Sequence, residues 1–166
     1  MRKKLIFLFL TAFVVCCFAG CSGSYGTDVQ NDVYTNVETQ TGGGEDMDLT
    51  KISFVVDGIA LDVSFEDNVA TRDLYNALKS GDITLNMSRY GGFEQVGSLG
   101  RTIKSAYRQM NTNPGDIVLY SSNQIVMFFG TNSWSYTKLG HINMTKTELE
   151  TLLDKASVQL VISIEK

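Results

Sequence analysis

The chain has 166 residues, 43% of them hydrophobic and 19% charged, with a formal charge of −4 and a single histidine, His141. That length and apolar fraction support one domain with an ordinary core. A net negative chain lacks the basic field that non-specific nucleic-acid binding needs, and one histidine excludes a multi-histidine zinc or iron site.

The N-terminus reads as an address. Met1-Arg2-Lys3-Lys4 is cationic, residues 5–20 (LIFLFLTAFVVCCFAG) carry no charge, and the run closes on Ala19-Gly20-Cys21. Cations, an apolar run and small residues at the cleavage point are the order of a secretory signal peptide, and the run is shorter than the roughly 20 residues that span a bilayer. The small pair before a cysteine resembles the bacterial lipobox. That resemblance implies a diacylglyceryl group on Cys21, cleavage before it, and a lipid-anchored protein on the extracytoplasmic face of a bacterial cell membrane. An ordinary cleaved signal or an uncleaved anchor is the competing reading. Cys16 and Cys17 would leave with the signal and no cysteine follows residue 21, so the mature chain has no disulfide, thiolate nucleophile or cysteine metal ligand.

Residues 22–48 carry six acids and no Lys or Arg, and their few apolar residues follow neither helical nor strand periodicity. Such a stretch cannot bury enough surface to offset its ordering entropy and reads as a disordered tether, on the order of 30 Å in coil span. Of the 18 acids these six belong to the tether, leaving twelve against eleven bases in residues 49–166. The negative bias therefore implies nothing about the domain's ligand.

From Leu49 the pattern becomes globular. Residues 52–56 and 59–65 flank Asp57-Gly58, a strong hairpin signal, and a two-residue loop would pair Phe54 with Leu61 and Ile52 with Val63 on one face. Residues 68–80 predict a helix with Leu74, Ala77 and Leu78 inward and Gly81 as its stop. A short strand follows at 83–87, then a second hairpin, 117–120 with 124–129 around Ser122-Asn123, entered through Pro114-Gly115-Asp116. The apolar run 125–129 predicts a strand covered on both faces, with a helix as one cover. Residues 99–113 read as loop and 139–143 as strand. Thr145 and Glu148 form a capping box ahead of Leu149, Leu152 and Leu153, and Leu160, Ile162 and Ile164 alternate in a closing strand. Seven or so strands with two helices predict a mainly β barrel or sandwich.

This order resembles the cyclophilin fold, and especially the small bacterial cyclophilin-like family. The residues that carry the likeness are 91–97 (GGFEQVG, a glycine-rich aromatic loop), 114–120 (PGDIVLY) and 128–140 (FFGTNSWSYTKLG), within a match over roughly residues 50–166. The resemblance implies a closed β-barrel with two helices and a groove that binds a peptide or small molecule. No cofactor is expected, since the Gly42-Gly43-Gly44 run sits in the tether with no strand before it and forms no phosphate loop. Cyclophilins isomerise Xaa-Pro bonds with an arginine beside a groove of Phe, Gln, Trp and His. Arg89, Phe93 and Gln95 stand in that order here, Phe128 or Phe129 matches the Phe of the pocket floor, and Trp134 matches the groove tryptophan. The spacing from Arg89 to Phe93 is compressed, Trp134 sits close to Gly140, and the groove histidine has no equivalent, since His141 falls within the next strand.

Each of these residues also has a plain structural role available. Arg89 could be a solvated charge, the phenylalanines could be core, and His141 a satisfied strand histidine. Trp134 and Tyr136, on a Ser/Asn-rich loop, are the least core-like aromatics. Asp57, Asp116 and Glu148 are accounted for by turns and caps. The candidate ligand-binding set is therefore Arg89, Phe93, Gln95, Phe128, Phe129, Trp134 and Tyr136, with Arg89 the candidate catalytic group. Three functions compete: a non-catalytic binding module, an extracytoplasmic prolyl isomerase, and a structural domain of the cell surface. The missing groove histidine favours the first and the third, Arg89 keeps the second open, and the binding module ranks first with the isomerase as its alternative.

Overall fold

Two successive residues with positive φ, Asp57 at 48° and Gly58 at 82°, turn the chain between β1 (Ile52–Val56) and β2 (Ile59–Ala60) in a computed structural model that describes residues 47–165. The expected signal peptide (1–20), Cys21 and the tether up to residue 46 lie outside the described residues. Val56 faces Ile59, Val55 faces Ala60, and the Leu61 N–H donates to the Phe54 carbonyl at 2.9 Å, which is the register a two-residue loop dictates. The continuation to an Ile52–Val63 pair does not form. The chain leaves β1 at Leu61-Asp62, and β3 (Val63–Phe65) pairs instead with β9 (Ser133–Ile142), Val63 opposite Ile142.

The remaining elements are α1 (Val69–Leu78), β4 (Ile83–Tyr90), β5 (Glu94–Ser98), β6 (Arg108–Asn111), β7 (Asp116–Tyr120), β8 (Gln124–Phe128), α2 (Lys146–Leu153) and β10 (Ser157–Ile164), with a 3-10 turn at Leu49–Lys51 capped by Asp48. Both helices start where local chemistry demands. Asn68 accepts from Ala70 N–H at 2.9 Å and Thr71 N–H at 3.2 Å, while its amide donates to the Lys138 carbonyl at 2.7 Å and so ties α1 to β9. The Thr145–Glu148 box closes in both directions ahead of α2.

The strands form a single antiparallel sheet in the order β2-β1-β10-β4-β5-β8-β7-β9-β3, with β6 added to β9. The expected closed barrel is corrected to an open, curled half-barrel. Its two end strands, β2 and β3, are successive short pieces of chain that bend apart at Leu61-Asp62, so no hydrogen-bond ladder joins them. Three further expectations change. Residues 94–97 of the expected 91–97 loop lie in strand β5; the 99–113 segment contains β6; and β9 begins at Ser133, six residues before the expected start.

The inner surface of the curl and both helices enclose the main core, including Phe54, Leu74, Ile117, Leu119, Ile125, Met127, Leu139, Leu149 and Leu153. The run 125–129 is covered on both faces, as its composition predicts. The outer cover is a second cluster of Val118, Val126, Phe128 and Tyr136 with Phe93, Val96, Met110 and Tyr120, and it contains no helix residue. No helix among the described residues is long and apolar enough to cross a membrane.

Candidate functional site

The β4–β5 hairpin sets Tyr90 opposite Glu94, Arg89 opposite Gln95 and Ser88 opposite Val96 across a turn at 91–93. Side chains alternate along a strand, so Glu94 and Val96 face outward while Gln95 and Gly97 face inward. Phe93 stacks parallel to Phe128 at 6.5 Å, Phe128 meets Tyr136 edge-on at 5.7 Å, and Tyr136 meets Tyr120 edge-on at 5.9 Å. Gly130 permits this: a Cβ there would stand 2.6 Å from the Phe93 Cβ. The Phe93 carbonyl in turn accepts from the N–H groups of Phe129 and Gly130 at 3.0 and 2.9 Å.

This aromatic layer borders an outward-opening groove of about 440 Å³. Tyr90, Tyr120, Trp134 and Tyr136 supply aromatic walls, Val96 and Val126 an apolar floor, and Gln124 and Asn132 polar edges. Trp134 and Tyr90, at 56% and 68% exposure, are among the most exposed large apolar side chains of the described residues. Glu94 also lines the groove, yet it is 5% exposed and its Oε2 has no hydrogen-bond partner. Burial pushes its carboxyl up to about 7, because nothing nearby repays the desolvation of its charge. Burial and the Glu94 charge push the Tyr136 phenol up, while the Asn132 amide donates to its oxygen at 2.9 Å.

A sequence profile of the Cyclophilin-like family matches residues 54–165, from within β1 to the end of β10. The chain belongs to the cyclophilin-like family. No curated protein matches it.

In this cyclophilin-like domain the expected site residues divide between two faces of one sheet. Phe93, Phe128 and Tyr136 form the outer aromatic layer, and Trp134 and Tyr136 line the groove. Trp134 and Tyr136 do so from strand β9 rather than from a polar loop, paired with Met110 and Arg108 of β6. Gln95 is turned inward and fully buried, its amide donating at 2.7 Å to the carbonyls of Leu153 and Lys155 where α2 ends. Arg89 pairs with Asp154 at 2.7 Å, beside the same helix end. Phe129 belongs to the main core. The arginine and glutamine of the expected set are thus separated from the aromatics by the sheet itself.

Glu94 is the residue that sequence reasoning missed. Its signal was available only with the strand in hand: an acid on the same face as Val96, beside a strand covered on both sides. His141 and Lys138 both reach the buried Asp116, at 2.9 and 3.1 Å, and Asp116 also accepts from the Asn113 N–H at 2.9 Å, so this acid has a structural role at the turn into β7. Among the described residues no three His, Cys, Asp or Glu side chains are grouped to hold a metal ion.

Proposed function

We propose that the cyclophilin-like domain is a non-catalytic binding module that holds a peptide segment or small ligand in its outer groove, carried at a bacterial cell surface by a lipid on Cys21. The observation that carries the binding reading is the groove of about 440 Å³ with exposed Tyr90 and Trp134 at its mouth, a volume within the range of ligand sites. Catalysis of Xaa-Pro rotation asks for an arginine positioned over the same pocket as the aromatics. Here Arg89 is paired with Asp154 and Gln95 is spent on the end of α2, which weighs for binding over an extracytoplasmic prolyl isomerase. The anchoring reading rests on residues 1–21 and on the acidic spacer that follows.

The test is a titration of the domain with short peptides bearing apolar, prolyl or basic residues, read by Trp134 emission, beside a peptide isomerisation assay. Binding without acceleration is the expected result. Isomerisation that disappears in Arg89→Ala would make the domain an enzyme instead. For the anchor, Cys21→Ser should leave the protein unprocessed or released, and a cleaved variant that stays with the membrane refutes the lipid.

A further inference from the structure

We infer that the groove recognises an organic ammonium group, with the Glu94 carboxylate as its counter-ion and the faces of Tyr90, Tyr120, Trp134 and Tyr136 as its surround. This rests on the binding reading above and names the ligand's chemistry. Three observations converge. The carboxyl of Glu94 borders the groove and is 95% buried, with Oε2 unpartnered, whereas buried polar groups in folded proteins are nearly always hydrogen-bonded. Among the described residues no lysine or arginine lines the groove, and Arg89 and Lys138 are paired with Asp154 and Asp116. Four aromatic side chains border the same space, and aromatic faces attract cations through their quadrupoles, most strongly where water is excluded.

The charge types then separate. An anion would meet the Glu94 carboxylate and be repelled. A neutral apolar ligand would use the rings and leave Oε2 orphaned. An ammonium group compensates the carboxylate charge and meets the ring faces at once. The Tyr136 hydroxyl already accepts from Asn132, so its own proton is free to go to an acceptor on the ligand. The groove has room for an ammonium headgroup with its substituent or for one lysine side chain.

Ionisation of Glu94 makes the recognition pH-dependent. The titratable groups facing it are Tyr90 from β4, Tyr120 from β7 and Tyr136 from β9, all phenols, with β8 contributing the uncharged Gln124. Arg108 of β6 stands opposite Tyr136, and Asp116, Lys138 and His141 form their own cluster on β7 and β9. Substitution of Glu94 is therefore the control that assigns a pH dependence to this carboxyl and not to the neighbouring cluster.

The experiment uses isosteric pairs. Choline and its neutral analogue 3,3-dimethylbutan-1-ol are titrated by Trp134 emission, beside N-acetyl-lysine methylamide and N-acetyl-norleucine methylamide. At pH 8 the cation of at least one pair should bind tenfold or more tightly than its neutral partner, and Glu94→Gln should bring the two together. The wild-type affinity for the cation should fall between pH 8 and pH 5.5, roughly sevenfold for a tenfold charge preference and toward thirtyfold for a much larger one, and the variant's should not. Preference for choline points to a free ammonium compound, and preference for the lysine derivative to a basic peptide. Trp134→Leu, at an exposed position, gives a second variant in case Glu94→Gln does not fold; by NMR it should lose cation affinity. Equal binding of cation and neutral isostere in the wild type, or a cation preference unchanged in Glu94→Gln, overturns the ammonium inference while the groove remains a binding site. Silence toward all four probes and toward the peptide set overturns the binding reading itself.

Discussion

On the inner side of the sheet, Ile117, Leu119, Ile125 and Met127 meet Leu74 and Leu78 of α1 and Leu149 and Leu153 of α2 in a mainly aliphatic core, with Phe54 and Phe129 its buried rings, closed by two capped helices. On the outer side, one residue along the same strands, Val118, Val126 and Phe128 meet Tyr136, Phe93 and Tyr120 in an aromatic layer that includes no helix residue and opens into a groove holding a buried carboxyl. The first arrangement satisfies packing and leaves little to do except persist. The second keeps an unpaired acid and exposed rings, features that lower stability and are retained where a ligand can use them.

Substitutions should separate the two sides, and the largest effect belongs to the core. Phe54→Ala, at a fully buried ring, should cost about 3–5 kcal/mol in denaturant unfolding at any pH. An effect under about 1 kcal/mol would mean the inner side is as loosely built as the outer.

Glu94→Gln should do the opposite. With its carboxyl raised from the ordinary 4.5 to about 7, folded and unfolded chains are both protonated at Glu94 below pH 4.5. Between 4.5 and about 7 only the folded chain stays protonated, so stability falls as pH rises, and above 7 the whole penalty, on the order of 3 kcal/mol, is present. The variant should therefore melt roughly 10 °C higher than wild type at pH 8 and match it near pH 4. Asp57, Asp67 and Glu148, held below the usual carboxylate range by hydrogen bonds from Gln159, Arg72 and Thr145, act in the reverse sense and cancel in this difference. A variant less stable than wild type at pH 8 would show that Glu94 is compensated within the fold.

Gln95→Ala tests whether a neighbour one residue away belongs to the other side. It should cost roughly 1–3 kcal/mol by leaving the Leu153 and Lys155 carbonyls without their donor, and leave ligand affinity at the groove unchanged. The smallest effect should come from Arg89→Ala, which breaks a half-exposed pair with Asp154 and should change stability by about 1 kcal/mol or less, again with the groove untouched. Loss of groove binding in either variant would erase the distinction between the two sides.

Much of the fold was legible because the signals are local. Asp57-Gly58 turns where it must, Asn68 and Thr145–Glu148 start the helices they cap, and the apolar run 125–129 is covered twice. Strand β5 was not legible: Glu94-Gln95 interrupts the apolar alternation and the glycines before it read as loop. The start of β9 was hidden in the same way by Ser133 and Ser135, which pair with β6 rather than declare a core face. The cyclophilin order of Arg, Phe and Gln grouped Arg89 and Gln95 with the aromatics, and without β5 nothing separated them by face or singled out Glu94.

The amino-acid order alone determined the turns, the caps and the helices, since each rests on hydrogen bonds or spacing within a few residues, and the motifs at 91–97, 114–120 and 128–140 carried the family resemblance and the aromatic candidates. The tertiary structure decided which side of the sheet each candidate occupies and that the sheet ends at β2 and β3 instead of closing. The physical reason is the period of a strand. With side chains alternating every residue, a strand boundary not recognised leaves Glu94 and Gln95 equivalent, and only the pairing of β5 with β4 and β8 sends one to the groove and the other to the helix.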